Sequence, residues 1–315
     1  RQQTPQPALQ YMNIGIANGS RKEINGKPHI FYDGYWIRYY PPPMETLSAK
    51  RDLLLVLTRR TFHHTEAGIN TPGNRVEAAR QAYESERNPE RKRVNAAMLA
   101  GGLFNRATDL FTSIVGLEDR GIHVGADNPL MTQCSDCFQE ALELGKQVRH
   151  SSGHEGIDEL WGEPLKVFTK SIAAYYESRY VKIAQVMKAI DNIAEHMVST
   201  FRAIPGYDNV EDGILDYARA ARQESEIMKS DPDFFYSWPE FVTLAARVKQ
   251  YQPSINSDKA NLGEVYSWGK RLLSEGVDLI SYMAGVRVPM PKSILQYLDS
   301  LDQFSAALAK PLSEH

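Results

Sequence analysis

The sequence predicts a mainly α-helical protein: a multi-helix bundle with one long central helix and a small β-hairpin arm at its N-terminal end. Three observations lead to this fold class. Proline follows a polar residue at several points, as is typical of the first turn of a helix. Apolar residues recur at spacings of three and four along one uninterrupted segment, which indicates a helix with a buried face. Short β-branched and aromatic runs that favour strands lie before residue 44.

The hairpin arm is predicted for residues 1–43. Asp33-Gly34 separates two short aromatic and β-branched runs and is a frequent two-residue hairpin turn. Pro41-Pro42-Pro43 cannot continue a strand, so it should form a stiff spacer into the helical part. A hairpin of this size cannot shield the aromatic rings of residues 31–40. We therefore expect these rings to pack on the helical body or on another chain.

The helical domain is predicted for residues 44–315, either as one unit or as two sub-bundles, 44–155 and 156–315. Polar residues followed by proline, together with the apolar periodicity, place the individual helices. They are predicted at residues 45–63, 72–87, 89–118, 129–150, 164–204, 208–229, 238–250, 258–284 and 291–309.

The predicted helix over residues 164–204 is the long central one, because no Gly or Pro interrupts residues 165–204. At a rise of 1.5 Å per residue it would be about 60 Å long. That length exceeds what a compact bundle of this size needs. Part of the helix is therefore expected to project and, like the aromatic arm, to contact neighbouring subunits.

Composition and charge exclude several functions. The chain has 36 basic and 39 acidic residues and a net charge of −3, so nucleic acid is not an expected partner. No apolar run approaches the roughly twenty residues of a membrane-spanning helix, so no transmembrane segment is predicted. Two cysteines in 315 residues cannot form a disulfide framework, which favours an intracellular reducing compartment.

The common catalytic motifs are also absent from the sequence. There is no glycine-rich phosphate loop of the required spacing, no Glu-x-x-His pair for a di-iron bundle and no Gly-x-Ser-x-Gly elbow. We therefore predict no catalytic and no cofactor-binding residues, and expect a protein that is not an enzyme.

One motif has the spacing of a metal site. Cys134 and Cys137 are separated by two residues, twelve residues follow, and His150 and His154 are separated by three. Two thiolates and two imidazoles complete a tetrahedron around zinc and leave no open position, so the pattern predicts a structural zinc site. Two alternatives remain open. In the first, the cysteines are small, partly buried residues at a helix start, and the histidines lie in a polar loop. In the second, the two cysteines form a redox pair.

The spacing resembles that of zinc fingers with two Cys and two His, but only over residues 134–154. The apolar core of that family is missing, since Ala141 and Gln147 stand where it has an aromatic residue and Leu. Glu140 and Glu143 would repel phosphates, so the resemblance does not extend to DNA binding.

The second hypothesis is a helical metalloenzyme or small-ligand-binding protein. Its candidate residues are His63 and His64 at a helix end, and Glu195 and His196 within the long helix. Adjacent positions on a helix point about 100° apart, so Glu195 and His196 do not face a common ligand by themselves. A cationic His near a helix C-terminus is also favourable for electrostatic reasons alone.

The N-terminal quarter resembles a known group of proteins. HIFYDGYWIRYYPPP at residues 29–43, KRDLLL at 50–55 and TRRTFHH at 58–64 are similar to the lineage-specific accessory subunits of euglenozoan mitochondrial ATP synthases. This resemblance implies a mitochondrial, non-catalytic subunit on the matrix side or at the periphery of a large membrane enzyme, held by other protein subunits. A chain that starts at Arg1 fits removal of a presequence, and it fits a shortened chain equally well.

Overall fold

The computed structural model of the chain describes residues 15–63, 75–148, 161–202, 204, 207, 209–230, 239–250, 262–285, 288 and 292–309. In these residues the chain forms ten α-helices preceded by a sheet of three β-strands. The predicted fold class, mainly α with an N-terminal hairpin, is confirmed.

The strands β1 (Arg21–Ile24), β2 (Lys27–Tyr32) and β3 (Tyr35–Arg38) form an antiparallel sheet in the order β1-β2-β3. The predicted hairpin is the β2-β3 pair, with Asp33 and Gly34 in its turn at φ 48° and 98°. The turn between β1 and β2 uses Asn25-Gly26, also with positive φ at both residues. Turns with positive φ at both central positions match the twist of the adjoining strands, which explains both Asx-Gly pairs.

The ten helices follow the sheet. They are α1 (Leu47–His63), α2 (Val76–Ser85), α3 (Pro89–Glu118), α4 (Pro129–Gly145), α5 (Glu163–Thr169), α6 (Ile172–Phe201), α7 (Val210–Ser230), α8 (Pro239–Lys249), α9 (Leu262–Met283) and α10 (Ile294–Ala309). The Asn-Pro signals are confirmed at two of them. Asn88 caps α3 by accepting the N–H of Arg91, and Asn128 caps α4 by accepting the N–H of Leu130.

The prediction of a single helix over residues 164–204 is wrong, because the chain forms α5 and α6 with an extended Lys170 between them. The hydroxyl of Ser171 accepts the N–H of Ala174 at 3.1 Å, and the carboxylate of Glu45 accepts the N–H of Ile172 at 2.7 Å. Both acceptors satisfy amides that a helix start otherwise leaves without a partner. Buried residues recur along all 30 residues of α6, so the expectation of a projecting end is wrong as well.

The buried apolar residues form three clusters. One lies among α1 to α5 and includes Tyr175 at the start of α6. A second lies among α6 to α10. The third joins the sheet to the middle of α6 and contains Ile30, Tyr32, Ile37, Tyr180, Ile183, Ala184 and Met187. α6 therefore takes part in all three clusters.

The third cluster decides between the two expected positions of the aromatic arm. The sheet packs on the helical body of its own chain, since Tyr32 and Ile37 are 6% and 0% exposed against α6. Among the described helices, none combines the length and apolar character needed to cross a bilayer.

Candidate functional site

A half-open pocket of about 210 Å³ lies between the sheet and the first half of α6. Four phenol rings dominate its wall, and one basic and one acidic side chain complete its mouth. These residues are Tyr32, Tyr39, Tyr176, Tyr180, Arg21 and Glu177. We refer to this feature as the tyrosine pocket.

The rings of the tyrosine pocket are held in place by mutual contacts. Tyr180 stacks on Tyr32 and on Tyr39, with centroid distances of 6.1 and 6.0 Å. The guanidinium of Arg21 lies 4.2 Å from the ring centroid of Tyr39, and the hydroxyl of Tyr32 donates to Glu177 at 3.2 Å. These contacts fix an aromatic wall, which suits a planar or cationic group.

The Tyr180 hydroxyl forms hydrogen bonds with the backbone of Tyr40, just after β3. It accepts the N–H of Tyr40 at 2.9 Å and donates to the carbonyl of the same residue at 3.0 Å. Burial raises the pKa of Tyr180 to about 12, so the phenol is neutral at physiological pH. Tyr180 can therefore take part in hydrogen bonds and in ring stacking, and it does not act as a charged group.

A second group of polar contacts connects β3 to α6 and α7. The hydroxyl of Tyr35 donates to Asp191 at 2.7 Å, and Arg222 pairs with the same carboxylate at 2.8 Å. The backbone N–H of Arg38 donates to Glu226. We call these five residues the sheet junction. Burial raises the pKa of Glu226 to about 7 and, with the Asp191 hydrogen bond, also raises the pKa of Tyr35.

The two predicted zinc-ligating cysteines lie one turn apart on α4. Cys134 is fully buried against α3, where its thiol donates to the carbonyl of Ala107 at 3.2 Å. Burial raises the pKa of Cys134 to about 12 and also raises the pKa of the partly buried Cys137. Zinc binding through Cys134 requires the thiol to exchange its hydrogen bond for a metal bond.

The other two predicted ligands, His150 and His154, lie outside the described residues. Within the part of the chain that the structure describes, no three His, Cys, Asp or Glu side chains are grouped as a metal site requires. The zinc site therefore stays a prediction.

Of the candidate residues of the second hypothesis, only Glu195 and His196 have described side chains, and both lie on α6. His196 pairs with Asp302 at 2.7 Å and so connects α6 to α10, while Glu195 is exposed. His63 is the last residue of α1, and His64 lies outside the described residues. The ring of His196 is engaged in a contact between helices.

Sequence reasoning did not find the tyrosine pocket or the sheet junction. One signal for the pocket is present in the sequence, since Tyr176 and Tyr180 are four apart and therefore share a face of α6. The partners of Asp191 lie 156 and 31 residues away along the chain, and no local pattern indicates them.

Comparison of the chain with protein-family models, with curated proteins and with solved structures found no match.

Proposed function

We propose that this chain is a non-catalytic structural subunit of a large multiprotein complex, and that the complex is a mitochondrial ATP synthase. The observation that carries the proposal is the sheet junction. Its ionisable side chains, which elsewhere serve as acids, bases or ligands, hold the N-terminal sheet to two helices.

The sheet junction makes the N-terminal sheet, β1 to β3, a fixed part of the surface. The sheet combines an apolar face packed on α6 with hydrogen bonds to both α6 and α7, so its orientation is determined at several points. A rigid surface loses little conformational entropy when a partner binds, which suits a subunit that positions others.

The resemblance of the N-terminal quarter supports the choice of complex. The similar residues 29–43 contain β3, most of β2 and the triple proline that follows them. Directly after them, Met44 is 80% exposed, and burial of such a flexible apolar side chain in a partner is favourable. The structural zinc predicted at Cys134, Cys137, His150 and His154 belongs to the same proposal.

Isolation of the protein from its source under native conditions tests the proposal. We expect it to co-purify with other proteins at a fixed ratio, among them the catalytic subunits of ATP synthase, in the mitochondrial fraction. If it instead co-purifies at a fixed ratio with the subunits of a different complex, the ATP synthase assignment is refuted and the structural role is not. Recovery without any partner would refute the structural role.

The tyrosine pocket favours a second function, the binding of a small molecule. A thermal melting screen with planar and cationic compounds tests it, with Tyr176→Ala as the variant and Tyr83→Ala as the control. Tyr83 lies on α2, away from the pocket, and donates to Gln147. A compound that stabilises the wild type and the control, and leaves Tyr176→Ala unchanged, supports ligand binding. Iron or manganese found by elemental analysis would instead favour a metalloenzyme.

A further inference from the structure

Three rings of the tyrosine pocket form a stepped aromatic wall. The plane of the Tyr180 ring is inclined by only 14° to that of Tyr32 and by 30° to that of Tyr39. Nearly parallel rings in contact have planes about 3.5 Å apart, so rings whose centroids are 6.1 and 6.0 Å apart are displaced sideways. Each ring therefore leaves part of its neighbour's face uncovered.

Such a wall favours a planar ligand over a small cation. A small cation is held best by rings that enclose it from several sides, and these three rings lie too nearly parallel to do so. The pocket also has a cation of its own, since the guanidinium of Arg21 lies 4.2 Å from the ring centroid of Tyr39. Like charges repel, so a second cation is disfavoured beside it.

The size of the pocket limits the ligand to one small ring system. Its volume of about 210 Å³ is below the roughly 300 to 1,000 Å³ of pockets that enclose a drug-sized molecule. A heterocyclic base of one or two rings suits such a space. Because the pocket is half-open, a group attached to the base can extend into solvent.

The mouth of the pocket presents one donor and one acceptor to the edge of such a ring. Arg21 contacts a ring face, and its N–H groups have no hydrogen-bond partner in the part of the chain that the structure describes. Oε1 of Glu177 accepts the hydroxyl of Tyr32 at 3.2 Å, which leaves its second oxygen for a ligand.

The two charged groups lie near the same hydroxyl without forming an ion pair with each other in the described residues. Burial and the carboxylate of Glu177 raise the pKa of Tyr32, whereas the charge of Arg21 lowers it. A ligand at the mouth can therefore contact the guanidinium and the carboxylate at the same time.

We propose that the tyrosine pocket binds the guanine base of a nucleoside or nucleotide, an inference that rests on the small-molecule function proposed for this pocket. Guanine has two neighbouring acceptors, O6 and N7, which match a guanidinium. It also has a ring N–H beside an amino group, and these two donors match a carboxylate. The base would lie against the aromatic wall, with Arg21 as donor and Glu177 as acceptor. Adenine offers a carboxylate its amino group alone.

Isothermal titration calorimetry of the whole chain tests the proposal, with guanosine as the probe and adenosine as the comparison. We expect the Kd of guanosine to be about tenfold lower than that of adenosine, because guanine satisfies both charged groups. Guanosine monophosphate is titrated as well. The proposal requires that guanosine binds, and tighter binding of the monophosphate would identify a nucleotide as the source of the base.

The decisive variant is Glu177→Gln, which replaces one acceptor oxygen with an amide donor. Glu177 is exposed, so the variant should fold. We expect the Kd of guanosine to rise about tenfold and the preference over adenosine to be lost, since a Gln amide matches adenine better than guanine. Glu195→Gln, on the same helix but outside the pocket lining, is the matched control and should bind guanosine as wild type does.

Equal binding of guanosine by wild type and Glu177→Gln would overturn the proposal. Equal binding of guanosine and adenosine by wild type would do the same. If Glu177→Gln does not fold, Arg21→Met decides, because the proposal requires weaker guanosine binding there and unchanged binding contradicts it.

Failure of this inference is distinguishable from failure of the small-molecule function. If neither nucleoside binds, but another compound stabilises the wild type and not Tyr176→Ala in the melting screen, the guanine proposal alone is refuted. If no compound of any class stabilises the chain, both are refuted.

Discussion

α6 buries charged groups in two places, and the two differ in how those groups are paired. At the sheet junction, Asp191 accepts from Tyr35 and pairs with Arg222, so a partly buried carboxylate has two partners within the chain. Arg179, 12 residues earlier on α6, is more deeply buried, and its guanidinium has no hydrogen-bond partner among the described residues. Depth of burial therefore does not by itself determine whether a charged group on α6 has a hydrogen-bond partner within the described residues.

The predicted zinc site would add a third kind of region, held by a metal. Structural zinc contributes roughly 10 kcal/mol or more of binding free energy in small peptide sites. We expect Cys137→Ser to release one zinc ion per chain and to destabilise residues 129–155, while α6 stays folded. Elemental analysis and hydrogen exchange measure the two effects. Ser135→Ala, between the two cysteines on α4, is the control because its side chain is not a predicted zinc ligand. An unchanged metal content in Cys137→Ser would refute the zinc site.

Glu226 makes the sheet junction sensitive to pH. Burial raises the pKa of its carboxyl from 4.5 to about 7, so the folded state binds this proton more tightly than the unfolded chain does. The free energy of unfolding should therefore fall as the pH rises from about 4.5 to about 7. Glu226→Gln keeps an acceptor for the N–H of Arg38 and removes the titration.

We expect Glu226→Gln to be more stable than wild type at pH 8, by up to about 3 kcal/mol, and the difference to shrink towards pH 5. Urea unfolding across that pH range measures it. A difference that stays constant with pH would show that Glu226 does not titrate with the raised pKa.

Asp191→Asn tests the pairing at the sheet junction itself. The substitution leaves the guanidinium of Arg222, 29% exposed, without its counter-charge. We expect a loss of about 2 kcal/mol in the free energy of unfolding, less than for a fully buried pair because water reaches both groups. The control Asp216→Asn breaks an exposed pair with Arg219 and should cost at most about 0.5 kcal/mol. Equal effects of the two variants would contradict the role given to the junction.

The smallest expected effect concerns the start of α6. Ser171→Ala removes the hydroxyl that accepts the N–H of Ala174 and should destabilise the protein by about 1 kcal/mol. Ser178→Ala is the matched control within the same helix. Its hydroxyl donates to the carbonyl of Tyr175, so its loss should be neutral or slightly stabilising. Urea unfolding distinguishes the two. Equal stability of both variants would show that the Ser171 hydroxyl does not stabilise the start of α6.

Local signals predicted much of the fold. Asp33-Gly34 and the Asn-Pro pairs at α3 and α4 act through their own backbone geometry and side chains, so a few residues suffice to identify them. The sequence does not indicate the break before Ser171, because apolar periodicity continues on both sides of it. Glu45, which stabilises the new helix start, lies 127 residues from Ile172 in the sequence.

The candidate sites were less predictable for the same reason. Arg179 stands within the apolar pattern of α6 and is 4% exposed, although its residue type alone predicts a solvent-exposed position. Tyr35 and Asp191 are 156 residues apart, so only the tertiary structure brings them together. The spacing of Cys134 and Cys137 predicts a pair of metal ligands. The hydrogen bond from the Cys134 thiol to the carbonyl of Ala107 depends on the packing of α4 on α3, which the spacing does not indicate.

The mass of the native assembly tests the central claim of a structural subunit most directly. A single chain has a mass of 35.6 kDa. Native mass spectrometry of material isolated without overexpression should give a particle many times heavier, with this chain at a fixed copy number beside other proteins. A particle that contains this chain alone would contradict the claim.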